Sequence, residues 1–401
     1  MVDRLDAVWL DDDQLRQPPD VVGARSGHFA RASSFAQRAL ADLRLFSNLL
    51  CVTWLLGGIV LDIVGTRIGL SFAVIWWSIV SGLTSFVNSA ASFSALRFLL
   101  GIGEAFNWPG ATKAVAECFP PPERSLAVAI FDSGSSVGGG LAAVCIPFIS
   151  LRFGWRSAFV FSGLLGVVWL AVWLAVYPRR GAGMNARPKG FVRNYFRGWG
   201  PLIRRPETWA IVIGRSLTDP VWWFYVFWLP QYLSDVRGFG LKQIAFFAWI
   251  PFVASDLGNF AGGLVSKALV NRGMPVLRSR KLVCVASAIP MLSAIPASLA
   301  ATPFSALAFI CVALFGFASF STMALTLPSD LFPADVVASV TGLSGLGAGL
   351  AGTLFTLMVG LMVDKFSYTP AFFAAAFLPV VATAAILLLI RKGTEPVAYS
   401  G

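Results

Sequence analysis

The stretch "RFLLGIGEAFNWPG", residues 97–110, is apolar or small at almost every position, yet Arg97 and Glu104 stand seven residues apart within it. An ionised carboxylate at the centre of a membrane span costs ~2.5–3.5 kcal/mol on insertion scales. Whether this segment is such a span decides the fold. The rest of the chain answers: hydrophobic residues make up 57% of it, charged residues 13%, and long apolar runs recur throughout. About 20 apolar residues cross a bilayer as a helix, and no soluble core needs so many runs of that length. The reading is an all-α polytopic membrane protein with eleven spans, near 45–61, 70–88, 94–116, 125–149, 155–177, 209–233, 243–266, 282–300, 305–328, 336–362 and 369–390.

The net charge of +11 does not point to nucleic acid, because the basic residues sit mainly between the apolar runs. That is the positive-inside pattern. The segment 178–208 holds Arg179, Arg180, Arg187, Lys189, Arg193, Arg197, Arg204 and Arg205 against one acid, Glu207. The loop 267–281 adds Lys267, Arg272, Arg278, Arg280 and Lys281 with no acid, and Arg391 and Lys392 follow the last span. Parity puts all three on one side, assigned to the cytoplasm. The five cysteines lie in or beside apolar runs with no CxxC spacing, and His28 is the one histidine. Neither a disulfide framework nor a metal site is expected. Residues 1–27 contain no apolar core of a signal peptide.

The two halves repeat in order. "GGIVLDIVGTRIG" at 57 is matched by "GGLVSKALVNRGM" at 262, "ECFPPPERSLAV" at 117 by "DLFPADVVASV" at 330, and "RFGWRSAF" at 152 by "KFSYTPAF" at 365. A parallel repeat across a basic central loop is a transporter architecture, with its site near the midplane between the halves. The organisation expected is an atypical segment 1–44, a five-helix bundle 45–177, the basic linker 178–208, a six-helix bundle 209–392 and a tail 393–401. The partner of span 209–233 would fall near residues 4–28, which are too polar to cross a bilayer. Either the start differs from the natural one or the form has eleven helices.

These motifs resemble the major facilitator superfamily. "GGIVLDIVGTRIG" is similar to that family's loop signature, with Gly58, Asp62, Gly65 and Arg67 in place and Ile63 and Ile68 where basic residues are usual. "LRFLLGIGEAFNWPGATKAVAECFPPPERSLAVAIFDSGSSVGG", "DPVWWFYVFWLPQYLSDVRG", "IPFVASDLGNFAGG", "LTLPSDLFP" and "SVTGLSGLGAGLAGTLFTLMVG" resemble the anion:cation symporters, and among them the bacterial hexuronate transporters. The likeness runs from about residue 55 to 390. It implies twelve helices, the first of which has no counterpart in residues 1–44.

Arg97 and Glu104 lie about two turns apart on one helical face. Arg97 can attract an anion, or instead snorkel to the interface. Glu104 can be neutral or charged according to its surroundings, as proton coupling requires. The resemblance agrees, since the pair matches the family's fourth-helix arginine and proton-accepting glutamate. Asn107 shares the face and could bond sugar hydroxyls or a neighbouring helix. "TDPVWWFYVFWLPQY" gathers Asp219, Trp222, Trp223, Tyr225 and Trp228 between Pro220 and Pro230, offering rings for sugar stacking or an interfacial belt. Asp256 and Asn259 share a face and are candidates for the cavity wall. Asp132 is assigned to stabilising the cytoplasmic half of its helix. The glycines of 134–140 and 342–352 lack the strand and GK[ST] of a phosphate loop and read as close helix contacts.

These features together lead to the expectation of an inner-membrane symporter that carries a sugar acid with protons, the resemblance implying a hexuronate. No cofactor and no nucleic acid are implied, and a monomer is expected. Glucarate, galactonate or an aromatic acid remain open as cargo, as does a non-transporting remnant or sensor. No Ser/His/Asp or Cys/His arrangement supports an enzyme.

Overall fold

The computed structural model describes residues 51–178, 191–247 and 249–391. The segments 1–44 and 393–401, and Arg179, Arg180, Arg187 and Lys189 of the linker, lie outside these residues. The first half comprises α1 (Cys51–Val64), α2 (Thr66–Thr84), α3 (Ala90–Glu104), α4 (Asn107–Cys118), α5 (Pro121–Phe153) and α6 (Trp155–Val176). A linker helix α7 (Phe191–Arg204) leads to α8 (Pro206–Asp235), α9 (Leu241–Phe247), α10 (Ile250–Asn271), α11 (Val276–Met291), α12 (Ala294–Leu299), α13 (Pro303–Leu331), α14 (Val337–Lys365) and α15 (Thr369–Leu389). There is no strand among the described residues. Among the described residues seven segments, with α11 and α12 taken together, are long and apolar enough to cross a membrane, and the described part of α1 is a shorter apolar helix. Leu164, Val167, Val168 and Val172 of α6 are exposed, a face suited to lipid.

Several expected boundaries move, each for a local reason. The span 94–116 is not one helix: it breaks just after Glu104 and resumes at Asn107. Pro109 has no N–H for the Ala105 carbonyl and its ring crowds that position, so the chain tightens, with Phe106 N bonding Gly103 O at 3.3 Å. The span 243–266 is likewise divided into α9 and α10, with Pro251 in the first turn of α10. The loop expected between the first two spans shrinks to Gly65, whose φ of 96° lets α2 start one residue after α1 ends. Part of the polar linker is the helix α7, which buries Tyr195 and Leu202.

The largest buried apolar cluster runs through α8, α11, α13, α14 and α15 of the second half. In the first half α2 packs on α6 and α3. The halves meet where α5 lies against α10 and α13, and α4 against α13 and α14. Glycines set the closest approaches. A Cβ at Gly258 of α10 would stand 2.1 Å from the Phe315 carbonyl oxygen of α13, and one at Gly342 of α14 would stand 2.4 Å from the Trp54 carbonyl oxygen of α1. The 342–352 run therefore forms close contacts as expected. The 134–140 run does not: Gly134, Gly138, Gly139 and Gly140 face open space.

Gly258→Ala should accordingly strain the α10–α13 contact by about 1–3 kcal/mol. Gly139→Ala should leave stability unchanged or raised, because Ala gains up to about 1 kcal/mol over Gly inside a helix. Thermal denaturation in detergent checks both, and equal melting of the two variants would contradict the packing described.

Candidate functional site

The basic end of the molecule, carrying α7 and the α10–α11 junction, is where charge crosses between the halves; the expected loop 267–281 shrinks to residues 272–275, with Lys267 in α10 and Arg278, Arg280 and Lys281 in α11. Asp62, near the end of α1, is fully buried and pairs with Lys113 of α4 at 2.6 Å. Its other oxygen accepts from the Ser339 backbone N–H of α14 at 2.7 Å and from the Ser339 hydroxyl. The Ala338 N–H adds a contact at 3.3 Å. These N–H groups belong to the first turn of α14, where intrahelical acceptors are missing and the helix dipole favours an anion. Gly58, one turn earlier, allows the approach: a Cβ there would lie 2.2 Å from the Ala338 carbonyl oxygen. Arg67 serves a different junction, capping α6 through the Tyr177 and Leu174 carbonyls at 2.6 Å each. Gly58, Asp62, Gly65 and Arg67 thus have distinct geometric tasks.

A second lock lies beside the first. Arg280 of α11, fully buried, holds Asp330 at 2.9 Å, Ser266 at 2.5 Å and the Pro121 carbonyl of α5 at 2.7 Å. Arg124 of α5 reaches the same Asp330 at 3.2 Å and the Ser329 carbonyl. At the opposite end, the polar contacts among the described residues stay inside one half. Arg156 bonds Asn88 at 2.8 Å, Arg237 bonds the Ala297 and Ala300 carbonyls at 2.9 and 2.6 Å, and Tyr368 bonds Asp235 at 3.3 Å.

Between these ends a polar cluster crosses from one half to the other. Asp132 of α5 accepts from Ser321 of α13 at 3.4 Å. With its amide oriented to satisfy its neighbours, Asn259 of α10 donates to Asp132 at 3.2 Å, to the Ala318 carbonyl at 2.9 Å and to Thr322 at 3.0 Å. Asp256, one turn before Asn259, lies beside Ser136 of α5. Arg215 of α8, 3% exposed, pairs with Asp219 at 2.6 Å, bonds Ser344 of α14 at 3.2 Å, and sits 6.0 Å from the Trp54 ring of α1. The charges of Arg215, Asp219 and Asp256 all act on Asp132. Asp132 therefore joins the two halves, which corrects its assignment to the stability of its own helix.

Arg97 and Glu104 lie on an exposed face of α3. The Arg97 guanidinium rests over the rings of Phe93 and Phe159, at 4.9 and 5.2 Å, and its charge still reaches Glu104. Glu104 is the last residue of α3 and Asn107 the first of α4, so the break brackets the acid. The aromatic candidates are placed differently from the expectation of a sugar platform. Tyr225 is fully buried against Phe224 and Phe372, and its hydroxyl has no hydrogen-bond partner among the described residues. Trp228 packs edge-on to Tyr368. Trp222, half-buried, stacks on Phe317 at 5.7 Å. In this conformation Tyr225 and Trp228 belong to the core of the second half because their helical face turns toward α14 and α15.

Comparison with known proteins places this architecture. The Major Facilitator Superfamily profile matches residues 45–356. The chain belongs to the Major Facilitator Superfamily. A hexuronate transporter of Escherichia coli (strain K12) is 33% identical over 330 residues, covering 79% of this chain and 76% of that protein. A galacturonate transporter of Dickeya chrysanthemi is 31% identical, covering 63% of this chain and 77% of that one. A D-galactonate transporter of Escherichia coli O6:H1 is 26% identical, covering 83% and 82%. Among solved structures, the proton:xylose symporter XylE bound to 6-bromo-6-deoxy-D-glucose shares the fold at a TM-score of 0.66 and 16% identity, covering 85% of this chain and 83% of that one. The curated relatives are major facilitator transporters, not enzymes.

For a major facilitator protein, a fold tied at one end and joined by a central polar cluster is one arrangement of two halves that move against each other. Lys113, Arg124, Arg215 and Asp330 were not singled out from sequence, and Arg280 was read there only as a basic loop residue. The available signal was a charge inside or beside an apolar run, and for Arg215 an acid four residues later. Asp330→Asn should cost about 3–5 kcal/mol, because it strands the buried Arg280 charge. Joint replacement, Arg280→Met with Asp330→Leu, should recover most of that loss. Melting in detergent tests this, and a double variant no better than Asp330→Asn would refute the pairing.

Proposed function

We propose that this chain is a proton-coupled symporter of a sugar acid, in the first place a hexuronate, in the inner membrane with its basic end in the cytoplasm. The observation that carries the reading is the exposed Arg97–Glu104 face of α3, in a chain whose relatives include transporters named for hexuronate, galacturonate and galactonate. Arg97 offers a guanidinium to the substrate carboxylate. Glu104, beside the break made by Pro109, carries the proton, and Asn107 meets a hydroxyl. Asp256 and Asn259 approach from the second half, with Asp132 and Arg215 behind them, and Trp222 offers a ring face. Phe252 and Phe317 support that ring. Both locks close the cytoplasmic end here, so substrate enters from the other side. The halves then exchange access by rocking about the site.

Glu104→Gln removes the proton carrier and keeps the side-chain shape. In proteoliposomes with an inward proton gradient, the variant should lose concentrative uptake of labelled glucuronate. It should retain exchange of external for internal substrate. Equal accumulation by variant and parent would overturn the role of Glu104. Unlabelled galacturonate and galactonate as competitors separate the cargo readings, the one that displaces glucuronate best being the preferred acid.

A further inference from the structure

The helix that joins the two halves also takes part in the gate. α7 lies in the basic linker, where a solvated strap would be the ordinary outcome of so many arginines, yet Tyr195 is 2% exposed and Leu202 6% exposed. Ordering a helix of this length costs backbone entropy of ~1–2 kcal/mol per residue, which burial of that apolar face offsets. The helix is fastened to the second half at its C-terminal end. Thr208 donates to the Leu202 carbonyl at 2.7 Å and Trp209 donates to the Ile203 carbonyl at 2.7 Å. Its other end delivers Tyr195 to the Asp62 lock.

The direction of the bonds there is set by what each group can do. Asp62 as a carboxylate only accepts, so the Ser339 hydroxyl, bonded to Asp62 Oδ2, donates its proton to it. The Tyr195 hydroxyl, in close contact with the Ser339 oxygen, must then donate to Ser339. Its direct contact with Asp62 is long, at 3.4 Å. Tyr195 therefore fixes the Ser339 rotor with its proton toward the carboxylate, and a chain of two hydroxyl donors strengthens each bond. Asp62 belongs to the first half, Ser339 to the second and Tyr195 to the connection between them.

We propose that Tyr195 is a positioning residue of the cytoplasmic gate: through Ser339 it holds the Asp62 lock shut, and the linker helix is thereby a latch on the closed state. Loss of the hydroxyl alone should shift the protein toward the state open at the basic end. The shift expected is roughly three- to tenfold, the range that one neutral hydrogen bond supports.

The test uses Ser125, which is fully buried between α5 and α10 at the gate, with its hydroxyl on the Gly263 carbonyl. A cysteine is placed there (Ser125→Cys) in a chain whose five cysteines are replaced, and its rate of reaction with a maleimide is measured in nanodiscs. Tyr195→Phe keeps the ring and its packing, so folding is preserved and the rate should rise. The same substitution in a Ser339→Ala background should add little, because its intermediary is gone. An unchanged or lower rate in Tyr195→Phe, or full additivity with Ser339→Ala, would overturn the proposal. The assay needs no substrate, so failure of the sugar-acid reading and failure of the latch are distinguishable.

Discussion

The Asp62 carboxylate is removed from water and must have its lone pairs filled, because an uncompensated charge in the interior is strongly destabilising. Its donors come from two bodies: Lys113 from the first half, and the first turn of α14 from the second. The two halves therefore cannot part at this end without stranding the anion or wetting it. Gly58 exists within that constraint, since a methyl group there would hold α14 away from the acid. Gly65 does too, because its positive φ turns the chain straight into α2 and leaves Arg67 to cap α6. The lock is stable while dry and weak once hydrated, which is the property a reversible gate requires.

The second lock repeats the logic with the halves exchanged. Asp330 is shared by Arg280 of its own half and Arg124 of the other, and Arg280 also reaches across to the Pro121 carbonyl. Bridging contacts gather at one end, while Arg156, Arg237 and Tyr368 at the opposite end bond within their halves. The central cluster of Asp132, Asn259 and Ser321 lies between, where polar groups of both halves meet in an apolar surround. A substrate that supplies charge and hydroxyls at that level competes with bonds the halves make to each other. This gives a physical route from occupancy to motion.

Much of the site was legible because charge in an apolar run is conspicuous. Arg97, Glu104, Asp219 and Asp256 stand out on that ground, and Asp62 stands out through its motif. The aromatic run of α8 was not legible in the same way. Trp222, Tyr225 and Trp228 have similar composition, but helical rotation turns Tyr225 into a packed core against Phe372 and leaves Trp222 half-buried against Phe317. Asp132 was misassigned because its sequence neighbours are small and polar, whereas its partners Ser321 and Asn259 are more than a hundred residues away. Tyr195 was hidden among arginines, although a tyrosine, a tryptophan and a leucine at helical spacing in "YFRGWGPL" mark a face to be buried.

The sequence by itself determined that this is a helical membrane protein of two related halves, because hydrophobic length, basic loops and repeated motifs are local properties that lipid and water read directly. It did not determine where helices break, since Pro109 and Pro251 stand at breaks whereas Pro147, Pro220 and Pro230 lie inside continuous helices. Only the tertiary structure decided which charge meets which: Asp62 with Lys113 and Ser339, Asp330 with two arginines, Arg215 with Asp219 and Ser344. A buried charge requires a partner, but nothing in local periodicity names it. That choice belongs to the packing of helices distant in sequence, and the closed gate and its latch are products of that packing.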